Sequence, residues 1–143
     1  MISLLERNKK YLVYLPLIVY WIFIFTATSL PGNDLPNVGV NDKIEHFTAY
    51  LILALLLNLA LVFQNRYPKI KVNSAIFTIL FMAFYALIDE LHQLFIPGRD
   101  CQILDWCADF IGSLLGVLFI TLLLIIGKYH SQKNEINQKM PGT

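Results

Sequence analysis

The sequence predicts an all-α membrane protein: a bundle of four transmembrane helices, both termini cytoplasmic, with a polar site at the extracytoplasmic end. Three observations predict it. The 143-residue chain is 57% hydrophobic and only 15% charged, with a mean hydropathy of +0.59, and a soluble domain carries far more charge than that. The apolar residues gather into four runs, each close to the ~20 residues that a helix needs to cross ~30 Å of hydrocarbon. Finally, the basic residues are partitioned. Arg7, Lys9 and Lys10 precede the first run, Arg66, Lys69 and Lys71 separate the second from the third, and Lys128, Lys133 and Lys139 follow the fourth. Nine of the eleven Lys and Arg therefore share one side, leaving Lys43 and Arg99 on the other, whereas eight of the ten acids lie across from the nine. The positive-inside rule makes the basic side cytoplasmic.

The first span is read as Tyr11 to Leu30. Its apolar core exceeds the about 7–15 residues of a signal peptide, and Ala27-Thr28-Ser29 is a poor cleavage site, so it is expected to stay as a helix. Pro16 is tolerable there, since membrane helices accept proline. The span has no internal charge, so it is assigned packing and anchoring, with Tyr11, Tyr14 and Trp21 in that role. Pro31 to Asn41 is rich in turn formers and is expected to lie across the outer surface. The second span is Phe47 to Phe63 and the third Val72 to Phe95, joined by the basic hairpin Gln64 to Lys71. The segment Ile96 to Leu104 carries a Pro97-Gly98 turn, and Trp106 to Gly127 is the fourth span. Residues 1–128 thus form one membrane domain, and residues 129–143 are expected to be a polar tail without regular structure. Cys101 and Cys107 fall near the outer face, where a disulfide is possible in an oxidising compartment; small apolar filling is the other role open to them.

Three polar clusters interrupt the apolar background: Asp42-Lys43-x-x-His46, Asp89-Glu90-x-x-Gln93 and Asp105-x-x-x-Asp109. At ~1.5 Å per helical residue, Lys71 to Asp89 covers about 27 Å and Lys128 back to Asp109 about 28 Å. On the same rise, Arg66 back to Tyr50 and His46 covers about 24 and 30 Å. All three clusters therefore lie at one depth near the outer boundary. Asp42, His46 and Tyr50 make one stripe by i, i+4 spacing, and Tyr85, Asp89 and Gln93 make another, with Glu90 one position round. Asp105, Asp109, Gly112 and Gly116 share a face of the fourth helix, and Gly112-x-x-x-Gly116 is a small-xxx-small pattern that admits a neighbouring backbone. Asp109 should point into the bundle. His92 should face away from the stripe and is left out of the site.

Charges inside a membrane are costly, so these acids need partners; Lys43, His46, Arg99 and the hydroxyls of Tyr50 and Tyr85 are the candidates. Packed carboxylates cannot all ionise cheaply. Simpler roles exist as well: Asp42 and Asp105 fit the N-caps of the second and fourth helices.

Laid out in this way, the chain resembles the VanZ-like family of small bacterial membrane proteins. The resemblance rests on Asp42-Lys43-x-x-His46-Phe47-x-x-Tyr50-x-x-Leu53, then Asp89-Glu90-x-x-Gln93-x-Phe95-x-Pro97-x-Arg99, then Asp105 and Gly112-x-x-x-Gly116, and it covers about Ser29 to Gly116. Asp109 is a departure, standing where the family more often has Asn. The family takes its name from a protein linked to low-level resistance to the glycopeptide teicoplanin. The resemblance implies Asp42, Lys43, His46, Tyr50, Asp89, Glu90, Gln93, Arg99 and Asp105 as site residues.

Two functional readings follow. In the first, the outer site binds a polar headgroup, a lipid-linked precursor or a glycopeptide, with Asp42, Lys43, Tyr50, Gln93, Arg99, Asp105 and Asp109 as ligand-binding residues. In the second, the protein is an intramembrane hydrolase or transferase acting on a lipid-linked phosphate. Asp89 or Glu90 would then be the base, His46 the acid and Arg99 the stabiliser of negative charge. No cofactor is expected: the sequence has no HExxH, no Cys/His ligand set and no Gly-rich phosphate loop. A divalent metal held by Asp42, Asp89, Glu90 and Asp105 is the minor alternative. The expected partners are the bilayer and a lipid-linked or cell-wall ligand, not nucleic acid. A monomeric carrier is disfavoured, because the polar groups leave no charged path across the membrane.

Overall fold

A computed structural model of the chain describes residues 2–32 and 41–139, which form six α-helices and no strand among the described residues. They are α1 (Ile2–Arg7), α2 (Leu15–Thr28), α3 (Asp42–Phe63), α4 (Pro68–Val72), α5 (Ser74–Gln93) and α6 (Ile103–Lys139). A π-helical turn, Lys10–Tyr14, leads into α2. Pro16 accounts for it: the ring has no N–H and collides with the carbonyl four residues back, and a widened turn relieves that collision. Four helical stretches are long and apolar enough to cross a membrane: Lys10–Thr28, Asp42–Phe63, Ser74–Gln93 and Ile103–Asn134. These correspond to the four spans read from the sequence. Large apolar side chains such as Ile22, Phe23, Leu80, Phe84, Leu118 and Phe119 face outward along them, a distribution that water would not tolerate and lipid does.

Helix directions alternate, so the start of α3, the end of α5 and the start of α6 meet at one end of the bundle. The basic residues Lys9, Lys10, Arg66, Lys69, Lys71 and Lys128 belong to the opposite end. There, Lys9 Nζ donates to the carbonyl oxygen of Phe63 at 3.1 Å, placing a cation on the negative end of α3.

The closest pairing is between α3 and α6, with α5 packed on both. Gly112 and Gly116 make it possible. A Cβ on Gly112 would strike the Phe47 carbonyl oxygen, and one on Gly116 the Leu51 carbonyl oxygen, so the two backbones touch where the small-xxx-small pattern predicts. Buried Asn58 reaches across the same seam to the Val117 carbonyl at 3.5 Å. Tyr50, Leu53, Ala54, Leu57, Met82, Ala86 and Val117 fill the core. Helix α2 flanks these three helices, adding Leu17 and Ile24 to the core and reaching α5 through Trp21, packed edge-on to Phe81 and Tyr85. That contact gives the uncharged first span the packing role expected of it.

Two boundaries differ from the sequence reading. The basic hairpin read over Gln64 to Lys71 contains the short α4, which Pro68 starts, and the third span begins after Asn73, at Ser74, and ends at Gln93. At the other end, α6 continues through Lys139 instead of losing regular structure after Lys128; no Pro or Gly interrupts residues 128–139, and Lys and Gln are good helix formers. The loop proposed to cross the outer surface lies largely outside the described residues. The Pro97-Gly98 turn is present, with Gly98 at φ 74°, a conformation that glycine adopts without penalty.

Replacing Gly112 with Leu is expected to destabilise the bundle by about 1–3 kcal/mol, the usual cost of overpacking. Thermal unfolding of the detergent-purified variant beside wild type measures this.

Candidate functional site

At the meeting point of α3, α5 and α6, the helices bury an unusual number of charges. Asp89, Glu90, Asp105 and Asp109 are 3%, 2%, 2% and 0% exposed, and His46 and Gln93 are buried with them. Helical spacing explains the convergence. His46 and Tyr50 point inward from α3, Asp89, Glu90 and Gln93 from α5, and Asp105 and Asp109 from the glycine face of α6.

Each acid has its own surroundings. Asp105 accepts from Lys43 Nζ at 2.7 Å, and the same ammonium donates to Gln102 Oε1 at 3.2 Å. Asp89 accepts from the Tyr50 hydroxyl at 3.2 Å, and the Tyr50 ring stacks with Tyr85. Glu90 Oε2 accepts from the backbone N–H of Gln102 at 2.9 Å, so its carboxylate covers the positive N-terminal end of α6. His46 Nδ1 lies 3.1 Å from Asp109 Oδ1 and 3.9 Å from Glu90 Oε1, while Nε2 is 3.9 Å from Asp42 Oδ1. Several polar atoms are buried without a hydrogen-bond partner among the described residues: Glu90 Oε1, Asp109 Oδ2 and Gln93 Nε2.

Of the residues singled out in the sequence, His46, Tyr50, Asp89, Glu90, Gln93, Asp105 and Asp109 are thus brought together, with Lys43 at their edge. Asp42 is half exposed and flanks His46. Arg99 behaves differently from expectation and makes no ion pair among the described residues. Its Nη2 donates to the Ala27 carbonyl at 3.0 Å and its Nε to that of Leu30 at 3.5 Å. The guanidinium thereby closes the negative end of α2. Neither expected cap is in place. Asn41, one residue earlier, caps α3 through its side chain on the Lys43 N–H at 2.9 Å, and α6 begins at Ile103, which puts Asp105 in its first turn. Of the four carboxylates named for a metal, Asp89 accepts from Tyr50 and Asp105 from Lys43. Both cysteines are unpaired, Cys101 being exposed.

Two contributors escaped the sequence reading. Gln102 joins Lys43 to Glu90, and its only signal was its place just before a helix. His92, rightly left out of the cluster, stacks on Phe25 and lies 3.1 Å from the Ser29 hydroxyl, tying α5 to α2.

Beside the cluster, between α2 and α3, lies a cavity of about 630 Å³. Tyr20, Phe23, Ile24, Ala27 and Leu30 form one wall, and Ile44, Thr48, Ala49 and Tyr50 the other; Asp42, Glu45, His46 and Arg99 supply its polar rim. An apolar slot ending in a few charged groups suits an amphiphile.

A family model described as VanZ/LLP1 matches residues 9–125. The chain belongs to this VanZ-like family. With four helices able to span a bilayer, it is a membrane protein of that family. The matched residues take in the whole polar cluster and the cavity, leaving the polar extension of α6 outside. No curated protein and no solved structure matches the chain.

If Lys43 is there to neutralise buried Asp105, then Lys43→Met should lower the melting temperature more than the double change Lys43→Met with Asp105→Asn, which removes the stranded charge as well. A double-mutant cycle of thermal unfolding tests the order.

Proposed function

We propose that this VanZ-like protein sits in the bacterial cytoplasmic membrane with both termini in the cytoplasm and binds an envelope lipid or lipid-linked cell-wall precursor at the outer leaflet. The cavity between α2 and α3 carries the reading. Its walls offer an acyl or prenyl chain an apolar surface along the helices, and its rim brings Arg99, His46, Asp42 and Glu45 to the depth of a headgroup. A guanidinium has five N–H donors, and the α2 carbonyls engage those on Nε and Nη2; the remainder have no partner among the described residues and suit a phosphate or carboxylate. The acids around them favour a headgroup that also carries hydroxyl or amine donors over a bare anion. A link to low-level teicoplanin resistance fits this reading, since a protein holding a cell-wall precursor could alter access to the drug's target.

An acid/base enzyme acting on a lipid-linked phosphate is the second reading. What favours it is His46, which lines the cavity and touches two buried carboxylates, an arrangement suited to proton transfer. Asp89, engaged by Tyr50, is the weaker base candidate, and Glu90 keeps one oxygen unpartnered among the described residues.

A thermal-shift screen of the detergent-purified protein with polyprenyl phosphates, peptidoglycan precursors and teicoplanin tests the binding. Stabilisation by one of the lipids should fall in Ala49→Phe, which fills the cavity, with affinity reduced at least about tenfold, equivalent to ~1.4 kcal/mol. Arg99→Gln should weaken anionic ligands more than uncharged ones. A flat wild-type screen, or binding indifferent to Ala49→Phe, removes the reading. Consumption of a bound lipid phosphate by wild type and not by Glu90→Gln would select the enzyme.

The orientation has a separate check. In a Cys107→Ser background, a membrane-impermeant maleimide added to intact cells should label Cys101. Partial desolvation, and then the Glu90 and Asp105 carboxylates, push this thiol up, so labelling should speed up as the medium is made mildly alkaline. Labelling only after lysis would invert the topology.

A further inference from the structure

We propose that His46 Nδ1, Glu90 Oε1 and an Asp109 carboxylate oxygen form a binding site for one divalent transition-metal ion. The three ligands come from α3, α5 and α6, so the ion would close the junction of these three helices. Their candidate atoms lie within 4.8 Å of one another, with Nδ1 at 3.1 Å from Asp109 Oδ1 and 3.9 Å from Glu90 Oε1. An ion bound at ~2.0–2.2 Å to N and O ligands holds neighbouring ligand atoms ~3.0–3.5 Å apart, so the His46–Asp109 pair already fits and Glu90 has to draw in on binding, from 3.9 Å to His46 and within 4.8 Å of Asp109.

The unsatisfied atoms point to an ion as well as to the spacing. Glu90 Oε1 and Asp109 Oδ2 are buried with no hydrogen-bond partner among the described residues. A carboxylate oxygen left so costs far more than one in water. A proton shared between His46 and Asp109 accounts for the 3.1 Å contact and still leaves both of those oxygens without a partner. A dication between the three side chains satisfies them and offsets the excess of buried acid.

Ligand type narrows the ion. One imidazole and two carboxylates suit Zn²⁺, Mn²⁺ or Fe²⁺, whereas Ca²⁺ and Mg²⁺ take oxygen alone. The other ring nitrogen of His46 faces Asp42 Oδ1 at 3.9 Å, and metal-bound histidines usually have a carboxylate there to orient the ring. Asp42, His46 and Asp105 make a rival set, but Lys43 already neutralises Asp105 at 2.7 Å and Asp42 is half exposed. The inference does not depend on what occupies the cavity.

Metal alone is the probe. The full chain, stripped with chelator in detergent, is titrated with Co²⁺ and followed by its visible d–d bands, and Zn²⁺ content is measured after dialysis. The expected result is one equivalent of either ion. Glu90→Gln and Asp109→Asn should each weaken it by at least about tenfold, while Asp89→Asn, whose carboxylate faces Tyr50 instead, retains it. No stoichiometric uptake by wild type, or equal loss in Asp89→Asn, overturns the site. Should a ligand variant fail to fold, zinc X-ray absorption of the wild type decides: one imidazole among nitrogen and oxygen ligands upholds the assignment, and none or several refutes it.

Discussion

The contact on which the rest of the structure depends is the close approach of α3 and α6 at Gly112 and Gly116. Without a hydrophobic drive between helices in lipid, association relies on van der Waals contact and interhelical hydrogen bonding. Two glycines let the α6 backbone rest on the carbonyls of Phe47 and Leu51. The site is the next turn of the same seam. Asp109 lies three residues before Gly112 and His46 one before Phe47, so the backbone contact brings their side chains to 3.1 Å. Wider spacing would leave the carboxylate in hydrocarbon with nothing to meet.

Helix polarity decides where charge is allowed. Near the polar cluster, α3 and α6 present their positive ends and α2 and α5 their negative ends. Asp42 and Asp105 stand in the first turns of α3 and α6, and Glu90 reaches across to the Gln102 N–H ahead of α6. Arg99 meets the last carbonyls of α2, and at the far end Lys9 meets the last of α3. Asp42, Asp105, Glu90, Arg99 and Lys9 thus each adjoin a helix end of opposite sign, worth a few tenths to about 1 kcal/mol or more when sheltered from water. By contrast, Asp89 near the C-terminal end of α5 and Lys43 in the first turn of α3 stand at ends of their own sign.

Much of this was legible in the sequence, because membrane spans and helical stripes are set by local composition and period. Lengths of apolar run placed the four spans, i, i+4 spacing placed His46 under Asp42, and the glycine pair identified the buried face of α6. Most of the departures share one cause: they depend on backbone groups that a residue-type pattern does not record. Asn41 displaces Asp42 as a cap because it holds the extended conformation just outside the helix. Arg99, counted as a countercharge, serves carbonyls some seventy residues away in the chain. Gln102 matters partly through a main-chain N–H, which no side-chain motif encodes. Helix α6 outlasts its apolar run because helix propensity, unlike membrane affinity, does not end at Lys128.

The cavity follows from the way α2 is attached. At the polar end it is fastened by Arg99, by the contact between Ser29 and His92, and by the Gly32 N–H on the Pro97 carbonyl at 3.0 Å. Farther along, Trp21 anchors it to α5, and the Tyr20 hydroxyl bonds the Ala49 carbonyl at 3.3 Å. Between those fastenings, the facing residues of α2 and α3 include Ala27, Thr28, Thr48 and Ala49, side chains too small to fill the separation that the fastenings fix. Alanines and threonines that could have let the helices close instead leave a slot, held open at both ends by polar contacts. A purely structural first helix would gain van der Waals contact by packing closely onto α3. Holding it away forgoes that stabilisation and exposes an apolar surface beside His46, and this geometry is what an amphiphilic ligand needs to present its headgroup to the buried acids.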